Sequence, residues 1–217
     1  MTRTLITPDG QMEDCRITIK PASPTCEEGL MYARYLDQAA EGFFRFYLGR
    51  RAPEIIAAAY PRPDHDHSWK NVFFAECNGK IVGMVSGYSA KQRRRFMDEP
   101  LEEAAGGFSL RRFFVRILLA PLWRVLETLD DGDFYVQAVA VDRHHRGKGI
   151  GSLLMDHMGD VAQKSNASRL VLDVAASNKG AQRLYERRGM VASSVWPKAS
   201  FLPAILIRMK MPLQGMD

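Results

Sequence analysis

The sequence has few cysteines and no long hydrophobic run. Its three cysteines, Cys15, Cys26 and Cys77, form no CxxC pair, and this odd, sparse set argues for a reducing compartment and against a zinc site. The longest apolar stretch, residues 113–126, is interrupted by arginine and proline and is shorter than the ~20 residues of a membrane span. The first 14 residues contain no apolar core of a signal peptide. These absences together favour a cytoplasmic protein.

The composition is otherwise ordinary for a globular protein. Of the 217 residues, 46% are hydrophobic and 25% are charged, so disorder, collagen and a disulfide scaffold are excluded. This length predicts a single domain over 1–217 that folds without the help of a metal or disulfides. The 30 basic and 25 acidic residues give a net charge of +5, which suits an anionic ligand but is too weak to indicate nucleic acid.

Hydrophobic periodicity predicts a mixed α/β chain. Residues 15–20 alternate as a strand does, and 24–38 and 42–60 have the spacing of two helices. Residues 71–89 are typical of a hairpin, because two β-rich runs flank the turn dipeptide Asn78-Gly79. The remaining predicted elements are strands at 133–142, 169–174, 190–196 and 203–211, and helices at 150–163 and 178–188.

A basic and apolar segment, residues 91–129, separates the hairpin from the next strand. It carries eight basic and five acidic residues, and its pattern predicts one or two amphipathic helices inserted between strands. A simple helical cap, a dimer contact and a helix on a membrane surface are the open interpretations of its aromatic and arginine residues.

Residues 146–151, with the sequence RGKGIG, connect a predicted buried strand to a predicted helix. Glycines let the backbone N–H groups turn toward one point, and the helix N-terminus adds unpaired donors and partial positive charge. Arg146 and Lys148 add full charges. The segment therefore predicts a diphosphate-binding turn. It is not a P-loop, because GxxxxGK[ST] is absent, and the simpler alternative is a turn that only requires glycine.

Two neighbouring segments, AVAVDRHHRGKGIGSLLMDHM and LVLDVAASNKGAQRLYERRGM, resemble the GNAT family of acetyl-CoA-dependent N-acetyltransferases. The Arg/Gln-x-x-Gly-x-Gly signature of that family matches Arg146, Gly149 and Gly151. Its second motif matches Leu172, Val174, Ser177, Asn178, Ala181, Leu184, Tyr185 and Gly189. Met190 stands where the family usually has phenylalanine. The specific match covers 133–190, about a quarter of the chain.

The resemblance implies an α/β fold whose mixed, mostly antiparallel sheet is flanked by helices and has splayed central strands. Residues 91–129 would be a helical insert before the fourth strand and the main source of specificity for the acceptor. The implied activity is that of an acyltransferase, in which a primary amine attacks the cosubstrate acetyl-CoA directly in a ternary complex. A small amine metabolite is the preferred acceptor. An enzyme acting on protein N-termini or lysines and a non-catalytic acyl-CoA-binding module are the alternatives.

The resemblance also implies a role for individual residues in binding acetyl-CoA. Backbone groups would pair with the pantetheine arm at Val139, Ala140 and Val141, and would hold the pyrophosphate at Arg146, Gly147, Lys148, Gly149, Ile150 and Gly151. The N–H of Val139 would polarise the thioester carbonyl. Asn178 would face the cofactor arm, with helix capping as its alternative. Tyr185 would give a proton to the departing thiolate, with packing as its alternative.

The general base is less well defined by the sequence. Glu76 in the hairpin is our candidate, with a solvated surface residue as the alternative, and Tyr135, Asp133 or a chain of waters are other options. The His65-Asp66-His67 and His144-His145 segments lack further ligands nearby in sequence, so we expect no metal site. A homodimer is compatible with the sequence but not required by it.

Overall fold

The computed structural model describes residues 2–6, 12–198 and 202–213, and the chain divides into two units. The first unit contains the described residues of Met1–Pro63, His67–Ser86 and Ala138–His157. The second contains those of Asp64–Asp66, Gly87–Gln137 and Met158–Asp217. Two strands and one helix begin in one unit and end in the other.

The first unit is built on antiparallel strands and three helices. Its elements are β1 (Thr2–Ile6), β2 (Met12–Pro21), α1 (Cys26–Ala39), α2 (Phe43–Leu48), α3 (Ala52–Ala59), β3 (Val72–Cys77), most of β4 (Lys80–Ser89), the end of β5 (Asp133–Val141) and the start of α8 (Ile150–Lys164). The strands β1, β2, β3 and β4 pair in that order. Asn78 and Gly79 both have positive φ in the β3–β4 turn, as a type I′ hairpin requires, so the predicted hairpin is confirmed.

The second unit contains the insert and the last strands. Its elements are the end of β4, α4 (Ala90–Arg93), α5 (Glu99–Ala104), α6 (Leu110–Leu118), α7 (Ala120–Glu127), the start of β5, the end of α8, β6 (Arg169–Ala175), α9 (Lys179–Glu186), β7 (Val191–Trp196) and β8 (Leu206–Pro212). Its strand order is β5-β6-β8-β7. The β5–β6 pair is parallel and covers only Asp133–Tyr135 of β5, although both strands continue.

These ladders confirm the predicted fold class. The ladders β1–β2, β2–β3, β3–β4, β6–β8 and β7–β8 are antiparallel and β5–β6 is parallel, so the sheet is mixed and mostly antiparallel, with helices beside it. The short β5–β6 ladder agrees with the expected splay of the strand that precedes the glycine turn. The insert is helical, as predicted, but it consists of four short helices rather than one or two.

Each unit buries its own aromatic and aliphatic side chains. In the first unit, Tyr32, Phe74 and Leu154 are completely buried. In the second, Tyr88, Tyr135 and Val171 form a buried cluster against which Phe96 and Leu129, at the two ends of the insert, pack. Close strand packing there requires glycine at position 87, because an added Cβ would lie 2.7 Å from the carbonyl oxygen of Tyr135.

The structure corrects one expected helix and adds a disulfide that the sequence did not predict. Residues 42–60 form two helices, α2 and α3, because the chain turns at Gly49, where φ is 86° and ψ is −164°. Cys77 is disulfide-bonded, which does not fit the reducing compartment inferred from the cysteine content, whereas Cys26 is free and exposed. A cytoplasmic location therefore stays a prediction. Among the described residues, no helix has the length and apolar character needed to cross a bilayer.

Candidate active site

The turn between β5 and α8 has the geometry of an anion-binding site. Gly147 and Gly149 have φ values of 75° and 79°, which glycine adopts without strain. The N–H of Leu153 donates to the carbonyl of Gly149 at 3.1 Å, and earlier N–H groups of α8 have no intrahelical acceptor. A Cβ at Gly147 would meet no atom within 4 Å, so the turn is open above this residue. These features fit a diphosphate.

Polar contacts fix the end of β5 beside this turn. Arg146 folds back so that its Nε donates to the carbonyl of Val141 at 3.2 Å. Gln38 of α1 donates to the same carbonyl at 3.2 Å. This carbonyl therefore already accepts two hydrogen bonds, so the N–H is the backbone group of Val141 that remains for a ligand.

Arg34 of α1 makes a second connection to the end of β5, through an ion pair of 3.2 Å with Asp142. Partial burial opposes ionisation of Asp142, but the backbone N–H of His144 and the Arg34 guanidinium lower the pKa of this carboxyl below its usual value. Sequence analysis missed Arg34 and Gln38. Their i,i+4 spacing on α1 is the only signal that places them on one face.

The strand segment Val139–Val141 approaches β4 closely. The side chain of Ala140 is buried and those of Val139 and Val141 are half-buried. A Cβ at Gly83 would lie 3.0 Å from the carbonyl oxygen of Ala140, so a side chain at position 83 would push the two backbones apart. In the first unit, Val139–Val141 and Arg146–Gly151 lie next to each other, joined by the hydrogen bond from Nε of Arg146 to the carbonyl of Val141.

Asn178 and Tyr185 lie on α9 of the second unit. The Oδ1 atom of Asn178 accepts a hydrogen bond of 3.1 Å from the N–H of Ala181, so this residue caps the helix. Capping uses only the oxygen and leaves the amide nitrogen for another partner. Burial raises the pKa of Tyr185 to about 12, which keeps the phenol protonated at neutral pH. Its hydroxyl donates to no group in the described part of the chain.

The three candidate bases all have partners. Glu76 of β3 forms an ion pair of 2.7 Å with Lys20, and hydrogen bonding to Glu76 raises the pKa of this lysine. Tyr135 donates to a carboxylate at 3.2 Å, and burial raises its pKa well above the usual value. Asp133 pairs with Arg169 at 2.7 Å. Glu76 keeps the most exposed of the three side chains.

The histidines show no metal-binding arrangement. Within residues 2–6, 12–198 and 202–213, no group of three potential ligands converges on one point. His65 and His67 are buried, and Nδ1 of His67 lies 3.1 Å from the Tyr32 hydroxyl. These contacts are typical of histidines that are part of a packed core.

Comparison with known proteins identifies the family. A model of the acetyltransferase (GNAT) family matches residues 34–190, most of the chain. The chain belongs to the GNAT family. It is therefore an acyltransferase enzyme, and the resemblance noted in the sequence is confirmed.

Individual relatives add detail about sequence and fold. A streptothricin acetyltransferase from Streptomyces lavendulae is 41% identical over 54 residues, which is 25% of this chain and 29% of that protein. A crystal structure of an acetyltransferase covers 91% of this chain and all of its own, with 24% identity and a TM-score of 0.64. An N-acetyltransferase from Staphylococcus aureus Mu50 covers 89% of this chain and all of its own, with 16% identity and the same TM-score. These structures share the GNAT fold.

Proposed function

We propose that this GNAT enzyme transfers the acetyl group of acetyl-CoA to the primary amine of a small metabolite in a ternary complex. One observation carries the proposal. At the start of α8, the first N–H groups of the helix have no intrahelical acceptor, and two glycines with positive φ form the open turn that leads into it. Arg146 and Lys148 add positive charge there, so the turn matches the doubly charged pyrophosphate of a CoA ester.

The residues beside this turn would hold the rest of the cosubstrate. Backbone groups of Val139 and Ala140, with the N–H of Val141, would pair with the pantetheine arm as an added strand does. The carbonyl of Val141 is excluded from this role because Gln38 and Arg146 already donate to it. The amide nitrogen of Asn178, which helix capping does not use, would contact the same arm.

Each chemical role follows from what aminolysis of a thioester requires. When bound, acetyl-CoA supplies the activated acetyl group. The neutral amine forms a bond to the carbonyl carbon, the carbon–sulfur bond breaks, and the amine loses a proton. The N–H of Val139 would polarise the carbonyl. Tyr185, which burial keeps protonated, would give its proton to the leaving thiolate. Glu76 would take the proton from the amine while Lys20 keeps the carboxylate in place.

One observation favours a small acceptor. The relative that is 41% identical to this chain over 54 residues is named a streptothricin acetyltransferase, and that name designates no protein or peptide as the acceptor. Because the family match of 34–190 includes parts of both units, we also propose that 1–217 form one N-acetyltransferase domain.

Calorimetric titration with acetyl-CoA, and with free CoA for comparison, tests the proposal. We expect micromolar binding of both by the wild-type protein and none by Gly149→Glu, because the new carboxylate would occupy the pyrophosphate site. Gly106→Glu is the matched control. Its φ of 78° nearly equals the 79° of Gly149, so it introduces the same charge and the same backbone strain elsewhere.

Two results would contradict the proposal. One is a folded wild-type protein that does not bind acetyl-CoA. The other is a Gly149→Glu variant whose affinity for acetyl-CoA equals that of Gly106→Glu. A screen of amines, read by the release of free thiol, then distinguishes an enzyme from a module that only binds acyl-CoA. Turnover of a peptide N-terminus or lysine in preference to small amines would replace our choice of acceptor.

A further inference from the structure

The helix α6 exposes its apolar side. None of its residues is buried. Six apolar side chains in or next to this helix, which we call the α6 face, are between 47% and 77% exposed: Phe108, Leu110, Phe113, Phe114, Ile117 and Leu118. The rings of Phe108, Phe113 and Phe114 lie side by side, with centroids 5.9 to 6.0 Å apart. A contiguous exposed apolar surface of this kind marks a site of interaction.

The polar side of α6 is the side that contacts the rest of the second unit. Arg116 pairs with Asp98 at 3.4 Å and with Glu102 of α5 at 3.5 Å. Arg112 donates to the carbonyls of Ala105 and Gly107. The helix is thus inverted relative to an ordinary surface helix, which buries its apolar stripe and exposes its charges. The described polar contacts of Arg112 and Arg116 are therefore on the side opposite the α6 face, which is left outward.

Both ends of the insert are attached to the second unit, so this orientation is supported from either side. At the entry, the rings of Phe96 and Tyr88 pack edge to face at 5.0 Å. At the exit, Arg208 donates to the carbonyls of Val125 and Thr128 at 2.7 and 2.6 Å. The α6 face is therefore presented by a segment whose ends are fixed.

The charge of this segment indicates the kind of partner. Residues 110–127 contain four arginines and one glutamate, a net charge of +3. Arg111 precedes Phe114 by three positions and Leu118 by seven, which places it at the edge of the α6 face. Two of these arginines, Arg112 and Arg116, lie on the side that contacts the second unit, so the positive charge beside the α6 face comes from Arg111. An anionic surface would be attracted to this charge, whereas a second copy would bring like charge against it. Aromatic and leucine side chains beside arginines are the composition of helices that lie in a lipid interface.

We propose that the α6 face binds the surface of a bilayer that contains anionic lipids. The six apolar side chains enter the region below the headgroups, and Arg111 stays at the level of the lipid phosphates. The helix lies in the plane of the interface and does not cross the membrane. This function is independent of acetyl transfer, because no residue of the α6 face belongs to the proposed active site.

Co-sedimentation with vesicles tests this proposal. One set of vesicles is phosphatidylcholine alone, and the other contains about 30 mol% phosphatidylglycerol to supply negative charge. We expect binding to the anionic vesicles, at least about tenfold weaker binding to the neutral ones, and loss of the difference in high salt. The double variant Phe114→Glu/Leu118→Glu should bind anionic vesicles at least about tenfold more weakly than wild type.

Leu30→Glu/Phe46→Glu is the matched control, because it adds the same two charges at side chains that are 43% and 54% exposed and lie on α1 and α2, outside the insert. It should bind like wild type. Equal loss of binding in this control and in Phe114→Glu/Leu118→Glu would overturn the proposal, as would a folded wild-type protein that ignores anionic vesicles. In sedimentation velocity, a dimeric wild type and a monomeric Phe114→Glu/Leu118→Glu variant would show that the α6 face binds a second copy of the chain. That result would also overturn the proposal.

Discussion

Replacing Arg208 by methionine tests the strongest polar contact of the second unit. The guanidinium of Arg208 donates to both carboxylate oxygens of Asp173, at 3.0 and 2.7 Å, and to the carbonyls of Val125 and Thr128. The side chains of Arg208 and Asp173 are only 9% and 3% exposed. Methionine keeps most of the volume but removes all four donated hydrogen bonds, and leaves the Tyr135 hydroxyl as the remaining side-chain donor to Asp173.

The expected loss follows from this burial. Removing one partner of a buried ion pair costs about 3–5 kcal/mol, because the remaining charge is desolvated without compensation. The pair Arg94–Asp131 is the matched control. Its N–O distance is also 2.7 Å, but its side chains are 58% and 88% exposed. An exposed pair contributes about 0–1 kcal/mol, so Arg94→Met should have little effect.

Equilibrium urea unfolding of the three proteins gives the free energies directly. A third variant, Arg208→Met/Asp173→Leu, removes both charges and should recover part of the lost stability, because no buried charge remains unpaired, while the Tyr135 hydroxyl and the carbonyls of Val125 and Thr128 still lose their partners. If Arg208→Met costs no more than Arg94→Met, or if the double variant is less stable than Arg208→Met alone, the reasoning from burial is wrong.

Further outcomes concern the active site and the sheet. Tyr185→Phe should lower kcat by ~10²-fold with little change in the KM for acetyl-CoA, and an unchanged kcat in steady-state assays would leave Tyr185 a packing role. Because burial raises the pKa of Tyr185 to about 12, the folded state retains its proton where the unfolded state loses it. This stabilisation is therefore complete below about pH 10 and is lost as the pH rises toward about 12. The free energy of unfolding of the wild type should fall by on the order of 2 kcal/mol over this range, and that of Tyr185→Phe should not show this decrease. Glu76→Gln should lower kcat, and a normal rate would restrict Glu76 to its ion pair. Gly87→Ala should destabilise by roughly 1–3 kcal/mol in thermal unfolding, whereas Gly159→Ala, where a Cβ meets nothing within 4 Å, should not.

Local features of the fold could be predicted because their physical cause is local. Asn78-Gly79 fixes a hairpin through the φ values that its two residues accept. The glycines of Arg146–Gly151 fix the turn before α8 in the same way. The burial of β5 and β6 also follows from their continuous apolar pattern, which is typical of strands covered on both faces.

Features that depend on distant residues could not be predicted in this way. Asp173 and Arg208 are 35 positions apart, and their pairing depends on the register of β6 against β8. The orientation of α6 likewise involves residues outside this helix, since its own amphipathic pattern would predict a buried apolar side. The break at Gly49 was missed because the apolar spacing of 42–60 continues across it. Lys20 was missed as the partner of Glu76 because the two lie on different strands.

The early end of the β5–β6 ladder at Tyr135 and Val171 makes hydrogen–deuterium exchange a direct reporter of ligand binding. An amide in a complete ladder is already protected and changes little when a ligand arrives. Beyond Tyr135, strand β5 continues for six more residues without entering that ladder. A ligand that pairs with this segment would supply hydrogen-bond acceptors for its amides. The slowing of exchange there would then measure how much of the protein has ligand bound, even when the amine substrate is unknown.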